Sequence, residues 1–310
     1  MMLSAKVKKI IDNYESDNKR VKANLAKLFM TGRLGGTGQL IILPVDQGFE
    51  HGPARSFAKN PLAYDPHYFY QLGIDAGLSA YAAPLGALEA GACTFKGRIP
   101  LILKINSNNS LQRKIGDAGY DQAVTASVKD AVRLGCSAIG FTLYQGSDSF
   151  NAQLEELRDL RREAAEEGLA TIVWCYARGN MSKEGELGID TITYGAHMAC
   201  LAGAHIIKVK LPSAHVEKEE AKKVYTEQKI PLGTLAERVR HVVQCCFNGR
   251  RPVVFSGGET KTLEDVYTEA RAIRDGGGNG SIIGRNSFQR PRDEALKMFD
   301  TMVDIFKDKQ

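Results

Sequence analysis

Long apolar runs are missing from this chain of 310 residues. None reaches the roughly 20 residues that a membrane-spanning helix requires. The opening segment MMLSAKVKKIIDNYESDNKR also lacks the apolar centre of a secretory leader. A cytoplasmic protein with no membrane partner is therefore expected. A C-x-x-C pair is absent too. The six cysteines, Cys93, Cys136, Cys175, Cys200, Cys245 and Cys246, stand at other spacings, several within apolar stretches. That pattern speaks for reduced thiols and against a disulfide framework or a cysteine metal site. The six histidines form no cluster with ligand spacing, so no metal is expected. Charge of one sign is nowhere concentrated. The 41 basic residues are mixed with 36 acidic ones for a net charge of +5, too even a distribution for a nucleic-acid-binding face. A small anionic metabolite suits the mild basic excess. Low-complexity segments and linkers are lacking as well, and the 43% apolar share is enough for one sizeable core.

What the chain does contain is one unit type, repeated. Short apolar runs alternate with amphipathic stretches. The runs are LIILPVDQG (40–48), LSAYAAP (78–84), PLILKINS (100–107), SAIGFTLYQG (137–146), ATIVWCYARG (170–179), AHIIKVKLP (204–212), PVVFSGG (252–258) and GSIIGRN (280–286). Between them, residues 120–135 and 151–168 read as helices ending on a capping glycine. Residues 262–278 do the same and start with Thr262 and Asp265 at capping-box spacing. Continuously apolar strands joined by helices imply parallel pairing with both faces covered. Eight such units predict an α/β fold, a (β/α)8 TIM barrel, with a doubly wound open sheet as the rival. The expected organisation is a single domain over 1–310. Residues 1–36 form an N-terminal helical extension and 38–310 the barrel, with an inserted segment at about 213–235.

Barrel chemistry sits where strands end, and polar residues gather at those ends. The first strand runs into Asp46, Gln47 and a loop, GFEHGP, that holds His51. The third carries Lys104 and ends in Asn106, and the fourth reaches Tyr144. The fifth runs out through Trp174, Tyr176 and Arg178. Trp174 reads as barrel wall. After the seventh strand come Ser256, Gly257 and Gly258; after the eighth, Gly284 and Arg285. Glycine lets backbone N–H groups approach an anion, and the turns after barrel strands seven and eight often hold phosphate. A phosphorylated ligand is expected there.

The sixth strand poses the sharpest question, because Lys208 and Lys210 point to one face of a core strand. One reading pairs one lysine with a carboxylate such as Asp46 and lets the other reach the rim. The other is a Schiff-base lysine. An ammonium held in a poorly hydrated pocket near other cations loses its proton near neutral pH and attacks a ketone. The resulting iminium is an electron sink for cleaving a neighbouring C–C bond.

VDQGFEHGP, YQGS, IIKVKLP, SGG and GRNSFQRP, in this order, resemble the archaeal/bacterial-type class I fructose-bisphosphate aldolases, Schiff-base barrel enzymes of the DeoC/FbaB-like superfamily. The likeness runs from about residue 38 to 295. It implies that Lys208 forms the imine, that Tyr144 transfers protons and that Asp46 is the carboxylate after the first strand. It further implies that Lys104, Ser256, Gly257, Gly258, Gly284 and Arg285 bind substrate and its phosphates. Cofactors are not implied; sugar phosphates as substrates are, and so is a ring-type homo-oligomer, a decamer in relatives. Gln47 departs from the histidine that compact members carry. Another lysine-dependent aldolase or transaldolase-like enzyme, a phosphate-binding isomerase or synthase and a sugar-phosphate sensor are the rival functions.

Overall fold

The computed structural model of the protein describes residues 2–111, 120–257 and 261–308. Its eight barrel strands are β1 (Leu40–Pro44), β2 (Ala80–Ala83), β3 (Leu101–Lys104), β4 (Ala138–Leu143), β5 (Ala170–Cys175), β6 (Ile206–Lys210), β7 (Val253–Ser256) and β8 (Gly280–Ile282). They pair in chain order into a closed barrel, and every pair is parallel. Closure sets Leu40 opposite Gly280 and Ile42 opposite Ile282. The open-sheet rival is thereby excluded.

Strand alternation sorts the apolar side chains into two cores. Ile42, Ala80, Ile102, Ala138, Ile172, Ile206, Val254 and Ile282 point inward, one per strand. Their neighbours, such as Ile41, Tyr81, Leu103, Ile139, Val173 and Ile207, point outward and are covered by helices. The indole of Trp174 also lies inside, where a Cβ at Gly140 would sit 2.2 Å from its ring. Glycine on β4 is therefore what admits the tryptophan.

Two helices precede the barrel, Ala5–Asp12 and Lys19–Met30, capped by the Ser4 and Asn18 side chains. Their buried residues Val7, Ile11, Val21 and Leu25 join the inner core. The Tyr14 hydroxyl donates to the His205 carbonyl at 2.5 Å, and the His205 ring lies 3.3 Å from Asp17. These contacts fall at the N-terminal ends of the strands, so the helices close the barrel floor and leave the mouth at the opposite end.

Two local expectations need correction. Residues 120–135 are not one helix. Ala123–Val124 pairs antiparallel with Asn106–Ser107, and the helix spans only Val128–Arg133. The reason is the reciprocal cap of Ser127 and Asp130, which starts the helix there. The GFEHGP segment is not a loop but two short helices, Gln47–His51 and Pro53–Phe57. They are split by Gly52 at φ +74 and restarted by Pro53. Residues 151–168 and 262–278 do carry helices, Phe150–Glu166 and Leu263–Asp275, the second with the Thr262–Asp265 capping box. Between β6 and β7 run two helices, Glu219–Glu227 and Leu235–Cys245.

Candidate active site

Inward-facing positions continue past the apolar layer to the C-terminal ends of the strands, where the side chains become polar. Lys208 follows Ile206 on the inner face of β6 and is 3% exposed. Its Nζ lies 5.2 Å from the Trp174 ring and 5.3 Å from the Tyr176 ring, so aromatic faces take the place of water around the amine. Among the described residues no carboxylate comes within salt-bridge distance of it. Burial pushes its pKa down to about 8; the charges of Asp46 and Glu50 oppose that shift, and Lys104 and Lys210 add to it. Lys210 is likewise pushed down to about 8, by burial and then by Arg178 and Lys183. Titration therefore does not distinguish the two lysines, whereas depth does. Lys208 sits on the floor beside Asp46, and Lys210 sits half-buried at the rim.

Both lysines line a cavity of about 320 Å³ in the barrel mouth, together with Asp46, Tyr144, Ser256 and Gly257. Gly284 and Arg285 complete the wall on the β8 side, and Gln47 and His51 lie on the β1 side. Asp46 is 8% exposed and occupies the N-cap position of Gln47–His51, yet its side chain makes no capping bond. It is thus left to face the cavity. Tyr144 is 6% exposed, and its hydroxyl accepts a hydrogen bond from Gln122 at 2.7 Å. Its backbone N–H donates to Gln153 at 2.9 Å, which holds the strand end in place. Burial first, and the charge of Glu50 second, raise its pKa, so the resting group is a neutral phenol.

Lys104 stands apart from the cavity wall. Its ammonium donates to the Asn106 side chain at 3.0 Å and to the Asn106 backbone carbonyl. Its Nζ lies 5.9 Å from the centre of the Trp174 ring, and it acts on Lys208 as a nearby cation. Gly258 lies outside the described residues. Trp174 is buried wall, 1% exposed. Among the described residues no group of three or more His, Cys, Asp or Glu side chains is placed to hold a metal ion. No helix among them is long and apolar enough to cross a membrane.

The residue that sequence reasoning passed over is Glu50. It lines the same cavity, and burial and Asp46 raise its pKa. The available signal was its spacing, four residues beyond Asp46, which on a helix returns to the same side. Read as a loop, GFEHGP concealed that relation. Arg55 and Lys183 also reach the cavity from outside the strands.

Burying the Lys208 ammonium costs stability with a definite pH signature. The folded value of about 8 lies below the ordinary 10.5. Below pH 8 both states carry the proton and the full penalty applies. Between the two values the unfolded chain binds a proton that the native state does not, so stability rises with pH. Lys208→Met removes the penalty. The variant should be more stable than the parent by about 3 kcal/mol at pH 7, and the difference should vanish as pH climbs through 10.5. Urea unfolding across that range measures it.

A closed (β/α)8 barrel with a desolvated amine, a carboxylate and a phenol around one basic mouth defines an enzyme equipped for imine chemistry. Residues 40–290 match the DeoC/LacD family aldolase pattern. The chain is 35% identical over 309 residues to the probable fructose-bisphosphate aldolase class 1 of Chlamydia muridarum, covering 95% of this chain and 87% of that protein. It is 33% identical over 285 residues to the fructose-bisphosphate aldolase class 1 of Thermoproteus tenax, covering 91% and 95%. The crystal structure of an archaeal fructose 1,6-bisphosphate aldolase superposes with a TM-score of 0.75 at 32% identity, covering 92% of this chain and 99% of that one. A structure from a study of reaction intermediates of the Schiff-base-forming fructose-1,6-bisphosphate aldolase gives 0.73 at 30% identity, covering 90% and 98%. The chain belongs to the DeoC/LacD aldolase family.

Proposed function

We propose that the protein is a class I fructose-bisphosphate aldolase. It cleaves fructose 1,6-bisphosphate reversibly into dihydroxyacetone phosphate and glyceraldehyde 3-phosphate through an imine on Lys208. The observation that carries this reading is the Lys208 amine, 3% exposed and without a carboxylate at salt-bridge distance among the described residues, at the bottom of the basic mouth. A pKa near 8 leaves part of it as free amine at neutral pH.

The proposed steps use the groups of the mouth in turn. The amine attacks C2 of the open-chain sugar, and loss of water gives a protonated imine. Once the iminium has formed, Tyr144 releases its phenolic proton to solvent; the phenolate then takes the proton of the C4 hydroxyl, the C3–C4 bond breaks, and its electrons flow into the iminium. Glyceraldehyde 3-phosphate leaves, the enamine gains a proton at C3, and hydrolysis frees dihydroxyacetone phosphate. Asp46 faces the hydroxyl-bearing part of the chain. Ser256, Gly257, Gly258, Gly284 and Arg285 take a phosphate, and Lys210 at the rim adds positive charge. Gripping the substrate by its phosphate holds the ketone against the amine, a positioning effect worth several kcal/mol, up to about 7–11 in well-oriented systems. Sugar phosphates in the cytoplasm and a ring-type assembly of identical chains belong to the same reading. Tyr194 and Leu201, each 67% exposed and two helical turns apart on Ile189–Leu201, support the assembly as uncovered apolar surface.

The test is product analysis with fructose 1,6-bisphosphate and a panel of other phosphorylated ketoses, in the presence of EDTA. Equimolar dihydroxyacetone phosphate and glyceraldehyde 3-phosphate, with undiminished turnover, are expected. Faster cleavage of a different phosphorylated sugar would transfer the assignment to another lysine aldolase.

A further inference from the structure

A mouth that receives a bisphosphate should be positive, and most of its titratable wall is, with Arg55, Arg178, Lys183, Lys210 and Arg285 around it. Two carboxylates break the pattern, Asp46 and Glu50. Glu186, nearby, is answered by Arg178 and by Lys183. Glu50 is not. Among the described residues no lysine or arginine lies within salt-bridge distance of its carboxyl group and no donor hydrogen-bonds to it. The His51 ring nitrogen, 3.7 Å away, is its one basic neighbour at that range. Burial, with Arg285 and Arg55 behind it, holds His51 below its ordinary pKa, so that ring is neutral at pH 7.

Position makes the anomaly functional. Glu50 is one turn beyond Asp46 on Gln47–His51, so the two carboxyl groups overhang the same side of the cavity. Its side chain is 28% exposed, open to the cavity yet sheltered. The charges that face it are Asp46, then Lys104 and Lys208 from the floor, then Arg178 from the end of β5. Burial and Asp46 prevail over those three cations and hold the carboxyl above its ordinary pKa. An unpaired anion here would repel the substrate's phosphates. A carboxyl group held above its ordinary pKa is ionised less, and more of it carries a transferable proton.

Resting on the imine reading above, we propose that Glu50 is a catalytic residue that delivers its carboxyl proton to the C2 hydroxyl of the carbinolamine on Lys208. The nitrogen lone pair forms the C=N bond, the C2–O bond breaks, and its electrons leave with the protonated oxygen as water. The products are the protonated imine and the Glu50 carboxylate. On hydrolysis the carboxylate takes a proton back from the water that adds to C2, so Glu50 ends the cycle as it began. Tyr144, deeper and held by Gln122, is left to the C4 hydroxyl.

Loss of 18O from the C2 carbonyl of dihydroxyacetone phosphate reads this step alone, because exchange requires dehydration and rehydration but no C–C cleavage. The parent enzyme should accelerate the exchange above the uncatalysed rate. Glu50→Gln should slow it roughly 100-fold, with a matching fall in kcat for fructose 1,6-bisphosphate and little change in KM. Glu50→Asp, which keeps an acid, should lie between the two; it decides the matter if the glutamine variant does not fold. Exchange at the parental rate in either variant, or a loss confined to KM, overturns the role of Glu50. A parent enzyme that does not accelerate exchange at all overturns the imine reading itself.

Discussion

Borohydride added to the protein with dihydroxyacetone phosphate will fix a three-carbon unit on Lys208, and Lys208→Met will lower cleavage of fructose 1,6-bisphosphate by about 10⁴-fold or more. The size of the loss follows from what the amine supplies. Without the iminium, the electrons of the breaking C3–C4 bond have no acceptor, and no other group in the mouth takes that part. Lys210 shares the strand face and a pKa of about 8, yet it is one rung higher, about 7 Å along the strand. It faces Arg178 and Lys183 at the rim, where the proposed role of its charge is to hold a phosphate. Lys210→Met should therefore raise KM and leave trapping at Lys208 intact. Trapping by the parent should quicken about tenfold per pH unit below pH 8 and level off above it, as the free amine appears. Peptide mapping that places the adduct on Lys210 would move the assignment by one rung. Absence of any adduct would remove the imine altogether.

Tyr144→Phe will lower cleavage by about 10² to 10⁴-fold while dihydroxyacetone phosphate is still trapped on the lysine. Gln122 donates to the phenol oxygen at 2.7 Å, and the Asn108 side chain also hydrogen-bonds to it, contacts that support a phenolate as well as a phenol. The group is 6% exposed and neutral at rest. The iminium cation formed in the same cavity, together with Arg178, which already opposes its raised pKa, favours loss of the phenol proton to solvent, so that a phenolate is present when the C4 proton must be taken. Phenylalanine keeps the ring and its edge-on contact with Tyr120, at 5.9 Å between centroids, so folding should be unaffected. Single-turnover cleavage and borohydride trapping, run side by side, separate the two steps. Turnover equal to the parent's would take Tyr144 out of the mechanism.

The barrel was legible because its signal is coarse. Eight apolar runs of strand length, each followed by helix-forming sequence, allow few other architectures, and inward parity along a strand is set by alternation alone. That is why Lys208 and Lys210 could be placed on one inner face before any coordinate. The misread segments were those decided by particular caps and turns. Ser127 with Asp130, and Gly52 with Pro53, each redirect a few residues against the broader pattern. Lys104 illustrates a different limit. Its strand and parity were readable, but whether its ammonium reaches the cavity depended on the Asn106 side chain and carbonyl that tie it down.

The sequence by itself determined the number and order of the strands, the face on which each polar residue emerges, and the lysine pair at the sixth strand end. Periodicity is a property of the local backbone, and it needs no knowledge of neighbours. Only the tertiary structure decided which of the two lysines is dry, that Glu50 joins Asp46 over the mouth, and that Lys104 acts from beneath. Those are matters of burial and of distance between strands far apart in the chain, and both arise only when the barrel closes.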